Sequence, residues 1–134
     1  MKVIVCVDQN NGMMFNNRRQ SRDRYVVKNI IEYIGSNILR MNGYSAELFK
    51  DISGNICVEE QFLDNAGGDD YCFVENCHIY DYDIEELILY RWDKKYPSDF
   101  KFKIKPEKYT LKSTLEFQGY SHEKIIREVY VRNE

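Results

Sequence analysis

Histidine is nearly absent from this chain. His78 and His122 are the only two among 134 residues, which excludes centres that need several imidazole ligands. Cysteine is present but not paired: Cys6, Cys57, Cys72 and Cys77 sit in apolar, strand-like text, and none has the two-residue spacing of a zinc knuckle or redox motif. They read as reduced core residues. A metal site from Cys72, Cys77 and His78 is the alternative, but strand neighbours point to opposite faces and a fourth ligand is not evident. No stretch approaches the ~18 consecutive apolar residues of a membrane helix, and Met1–Asp8 is too short for a signal peptide, so a cytoplasmic, soluble protein is expected. Basic residues are not in excess: 19 against 22 acidic ones give a net charge of −3, with no general attraction to a polyanion. A Gly-x-Ser-x-Gly elbow, a Walker loop and a nucleotide-fold glycine fingerprint are all missing, so acyl transfer and conventional phosphoryl transfer have no motif support. The run Asn65-Ala66-Gly67-Gly68 reads as a turn.

Apolar material is plentiful. Hydrophobic residues make up 43% and aromatic residues 14%, with eleven Tyr, seven Phe and one Trp. That supports one aromatic-rich core at a length typical of one domain, spanning 1–134.

The β-branched run over residues 2–8 predicts a central strand covered on both faces. Turn chemistry from Gln9 to Ser21 predicts a long loop. Ser21 is placed to cap a helix with Asp23 in its first turn; Val26, Val27, Ile30, Ile31 and Ile34 form its apolar stripe, and Gly35 ends it. A short strand over 37–41 and a brief helix capped by Ser45 follow. Strands are predicted at 55–59, 70–75 and 87–92, and an acidic short helix near 81–86. Phe100, Phe102 and Ile104 alternate with lysines, and residues 109–117 alternate likewise. A last strand runs from Ile125 to Arg132 after the hairpin-like Gln118-Gly119-Tyr120-Ser121. The fold class is α/β, with a mainly parallel mixed sheet, an antiparallel C-terminal edge hairpin and flanking helices. Val3–Val7 is expected beside the 37–41 strand.

Ile4-Val5-Cys6-Val7-Asp8-Gln9-Asn10-Asn11-Gly12-Met13, Asp23-Arg24-Tyr25-Val26-Val27-Lys28-Asn29, Leu87-Ile88-Leu89-Tyr90-Arg91-Trp92-Asp93 and Tyr96-Pro97-Ser98-Asp99-Phe100, in that order, resemble the dihydrofolate reductase family over nearly the whole chain. The resemblance implies that family's fold, with Asp23 at the position of its active-site carboxylate, where it would face the cleft and bind a pteridine-like ring. Read as a residue alone, Asp23 favours the helix dipole wherever it points.

The departures from that family bear on activity. Where the family has a Gly-Gly pair that lets backbone N–H groups approach the cofactor diphosphate, this chain has Val74-Glu75-Asn76, whose carboxylate would repel phosphate. Gly43 stands at the family's phosphate-binding Arg, although Ser45 keeps a hydroxyl at its Thr. The Leu-Pro-Trp of the active-site loop is absent, and the chain is shorter through 50–75, where the family builds its adenosine pocket. In the same region Arg18, Arg19, Arg22 and Arg24 put four guanidinium groups in seven residues, suited to carboxylate or phosphate oxygens or to a solvated loop of weak ion pairs.

These features predict no cofactor and no metal. The expected function is a degenerate, non-reductase relative of the fold that binds a small anionic ligand or a protein partner through Arg18, Arg19, Ser21, Arg22 and Ser45. A reductase with a remodelled NADPH site is one alternative. An RNA- or nucleotide-processing role is another; chains of this kind can carry the label ribonuclease Z, but the His-x-His-x-Asp-His cluster of a two-zinc hydrolase is missing.

Overall fold

A computed structural model describes residues 1–134. In β1 (Lys2–Val7) the side chains of Val3, Val5 and Val7 enter one core layer and Ile4 the opposite one, all without solvent exposure. A continuous apolar strand of this kind is stable only between two covering layers. The chain continues through β2 (Gly12–Phe15), β3 (Arg18–Arg19), α1 (Arg24–Ile34), β4 (Leu39–Met41) and the single turn α2 (Gly43–Ala46), extended by a 3-10 turn over Glu47–Phe49. Then come β5 (Ile56–Val58), β6 (Tyr71–Phe73), β7 (Glu86–Trp92), β8 (Phe100–Lys101), β9 (Tyr109–Phe117) and β10 (Ile125–Arg132).

Seven strands form one sheet in the order β5-β4-β6-β1-β7-β10-β9. The first five are parallel, and β10 and β9 close the edge antiparallel. The α/β fold class and the antiparallel C-terminal edge are therefore as the sequence predicts. The strand over 37–41 shortens to β4 and does not touch β1, because β6 lies between them with Tyr71 aligned to both Lys2 and Leu39. All three residues of β6 are buried, which suits that interior slot; strand order across a sheet leaves no mark in local text.

The segment from Gln9 to Ser21 is not structureless. Asn16 and Asn17 both adopt left-handed backbone, with φ of 52° and 61°, as a two-residue hairpin turn requires. They join β2 to β3, and β2 pairs on its other side with β8. No helix forms over 81–86. Ile84 is buried there, as is Ile79 just before it, and the Tyr109 hydroxyl donates to the Ile84 carbonyl at 2.8 Å. The lysine-alternating segment keeps strand pairing only at Phe100–Lys101.

Helix α1 buries Val26, Ile30 and Ile34 against the sheet; each such burial stabilises by about 1.5–3 kcal/mol. The cap is Asp23 rather than Ser21: its backbone is extended, and its carboxylate accepts from the Tyr25 N–H at 2.9 Å. Gly35 ends the helix at φ 60°, where a side chain is strained. Asn42, not Ser45, caps α2 by accepting from the Ser45 N–H at 3.1 Å. No helix is long and apolar enough to cross a membrane.

Candidate functional site

The connection from β9 to β10 folds back over the start of α1. Asp23 receives the Tyr120 N–H on Oδ1 and the Ser121 N–H on Oδ2, each at 2.9 Å. Gly119 makes this approach possible, since a Cβ there would stand 2.6 Å from Asp23 Oδ2 and 3.0 Å from the His122 carbonyl. His122, buried and stacked on Trp92 at a ring separation of 4.6 Å, places Nδ1 at 2.9 Å from Asp23 Oδ2. Its Nε2 lies 2.9 Å from Ser21 Oγ and 3.2 Å from the Tyr96 hydroxyl. A carboxylate can only accept, so in the neutral ring Nδ1 carries the proton and Nε2 is the acceptor for both hydroxyls.

Burial opposes the charge on Asp23, but hydrogen bonds from Tyr120, His122, Ser121 and Tyr25 outweigh it and bring its pKa down to about 2. With these donors in place the carboxylate faces the protein interior. The Asp23 side chain has no solvent exposure.

Asp8 anchors the neighbouring wall. One oxygen accepts from the Asn10 and Gly12 N–H groups at 2.8 Å; the other accepts from the Tyr96 N–H at 2.9 Å and from Gln20 Nε2 at 3.2 Å. Desolvation raises the pKa of this buried acid and the four donors lower it, with a net lowering. Asp8 thus fixes two residues beside the histidine: Gln20, which precedes Ser21 in the chain, and Tyr96, which bonds to the ring. Both line a cleft of about 510 Å³, together with Phe15, Asn16, Arg18, Arg19 and Pro97. Gln20 Oε1 is buried without a donor.

The arginines do not converge. Arg19 forms a two-pronged pair with Glu75, Nε to Oε2 at 2.8 Å and Nη2 to Oε1 at 3.0 Å, and lies over the Tyr44 ring at 4.5 Å. Ser45 is buried and donates to the same carboxylate at 2.7 Å. Arg24 covers the Tyr120 ring, and Arg22 is exposed. Arg18 is exposed, lines the cleft and has no carboxylate partner. Of the five residues the sequence singles out for an anion, Arg19 and Ser45 meet at Glu75, Ser21 meets His122, Arg18 stands in the cleft, and Arg22 stands apart.

His122 lies in the connection just before β10, flanking the last strand. Its partners Ser21 and Asp23 lie 101 and 99 residues away, so only the fold brings them together. The available signal was compositional: one of two histidines, preceded by Gly119 and Ser121. Cys72, Cys77 and His78 do not gather, and no three His, Cys, Asp or Glu side chains are arranged to hold a metal ion. Cys72 is buried in β6, with burial pushing its thiol up to about 11, while His78 packs on Phe100.

No protein-family model and no curated protein matches this sequence. Among solved structures it is similar to dihydrofolate reductase from Enterococcus faecalis, complexed with NADP(H) and RAB-propyl. The TM-score is 0.67 at 12% identity, over 99% of this chain and 96% of that one. The fold is dihydrofolate-reductase-like.

Proposed function

We propose that this protein is a non-reductase of the dihydrofolate-reductase-like fold that binds a small anionic ligand in the cleft beside Arg18, Gln20 and Tyr96. The observation that carries the reading is Glu75. It follows β6, where the resemblance puts the glycines that admit a cofactor diphosphate, and it is only 7% exposed. Its two oxygens take the Arg19 guanidinium and the Ser45 hydroxyl, the donors on that wall suited to phosphate. A diphosphate entering there would meet a buried negative charge already paired, so the residues present do not fit NADPH. Arg18 supports the second half of the reading: a cation without a partner, on a concave surface, attracts an anion, and the Asn16 and Gln20 amides line the same cleft.

Titrating NADPH while following nicotinamide fluorescence is expected to give no saturable signal. Melting in phosphate, sulfate or citrate, against chloride at matched ionic strength, is expected to rise in the parent and not in Arg18→Gln, because a ligand that binds only the native state raises its stability. A micromolar NADPH dissociation constant restores the reductase reading. Equal anion responses in parent and variant remove the cleft assignment.

A further inference from the structure

We propose that Ser21, His122 and Asp23 form a nucleophilic triad and that the protein hydrolyses small carboxylic esters through a Ser21 acyl-enzyme. Ser21 Oγ lies 2.9 Å from Nε2 of a histidine whose Nδ1 is held 2.9 Å from a buried carboxylate. Those are the contacts a weak hydroxyl nucleophile needs: a base within hydrogen-bond reach, itself oriented by a third group. The parts also differ in accessibility as the chemistry requires. The side chains of His122 and Asp23 are 4% and 0% exposed, while Ser21 is half-buried at the protein surface. Trp92 stacked on the imidazole and the Tyr96 hydroxyl fix the ring plane.

In the first step Ser21 Oγ bonds to the ester carbonyl carbon as its proton passes to His122 Nε2. The C–O bond to the alcohol then breaks, and the departing oxygen takes that proton. In the second step water attacks the acyl carbon, gives its proton to Nε2, and the carboxylic acid leaves as Ser21 Oγ recovers the proton. Asp23 stays ionised and positions the ring. The negative charge developing on the carbonyl oxygen needs fixed donors; the backbone N–H groups of Ser21 and Arg22 have no acceptor within the chain and adjoin the attacking atom in sequence. The substrate class rests on the cleft reading above: Gln20 and Tyr96 join the triad to the cleft that Arg18 lines, so an acyl or alcohol group carrying a carboxylate or phosphate fits best.

The test is intact-mass and peptide mapping after exposure to a fluorophosphonate, which loses fluoride when a serine oxygen bonds to phosphorus. The expected result is one adduct per chain, on Ser21, and no adduct in Ser21→Ala, while that variant keeps the parent melting temperature and the parent response to phosphate. An unlabelled folded parent, an adduct on another residue, or equal labelling of Ser21→Ala overturns the triad and leaves the three residues as a clasp holding α1 to the β9–β10 connection. Labelling on Ser21 in a protein with no phosphate response upholds the triad and removes only the anionic substrate class.

Discussion

Gly119 and Asp23 are in closer contact than any side chain at position 119 would allow, since a Cβ there would fall 2.6 Å from the carboxylate oxygen that also faces His122. Gly119→Ala must therefore push apart the connection and the helix start that carry the site. Overpacking of this kind costs about 1–3 kcal/mol. Denaturant unfolding is expected to show that loss together with altered near-ultraviolet dichroism from Trp92, which stacks on His122.

Asp23 makes stability depend on acid in a defined direction. Its folded pKa of about 2 lies below the ordinary 3.8, so its contribution is complete above the ordinary value and is lost as pH falls toward 2. In Asp23→Asn this titration is absent. The gap in melting temperature between parent and variant should be widest near neutral pH and shrink as pH drops from about 4 to 2. A gap constant across that range contradicts the assignment.

Glu75→Gln keeps the shape of the Arg19 pair and removes its negative charge. Breaking such a shielded pair costs roughly 3 kcal/mol, measurable by urea unfolding. It also leaves the Arg19 guanidinium seeking an anion, so phosphate is expected to stabilise this variant more than the parent. A variant that loses stability without gaining a phosphate response removes the view that Glu75 acts as a built-in counter-ion.

Core and surface truncations should separate cleanly. Ile30 has no exposure on the inner face of α1, and Ile30→Ala is expected to cost about 2–5 kcal/mol. Leu115 on β9 is 40% exposed, and Leu115→Ala is expected to stay within about 0.5 kcal/mol. Chemical denaturation of both variants checks the contrast.

What the sequence reveals follows how far apart the interacting residues are. Helix α1 was legible because Val26, Ile30 and Ile34 repeat at helical spacing and Gly35 stops them; β9 and β10 were legible from alternation and a short connection. The hairpin of β2 and β3 was not, because strands of four and two residues carry too little pattern and its turn depends on left-handed Asn16 and Asn17. The insertion of β6 between β1 and β4 is tertiary information. The site divides the same way. Asp23 stood out at a helix start, and Arg18 in a basic loop. The roles of His122, Glu75 and Asp8 come from partners tens of residues away, and no local spacing announces them.

The central place of β1 has a consequence for how the chain is made. Lys2 aligns with Tyr71 on one side and with Glu86 on the other, so β1 has no partner strand until Phe73 has been synthesised and lacks its second until Trp92. At about 5–20 residues per second, that leaves an apolar Val-Ile-Val-Cys-Val segment unpaired for several seconds. Nascent chains stalled before β7 should therefore bind chaperones and resist compaction. The released protein should refold slowly, over milliseconds to seconds, because its most buried pairings join distant parts of the chain.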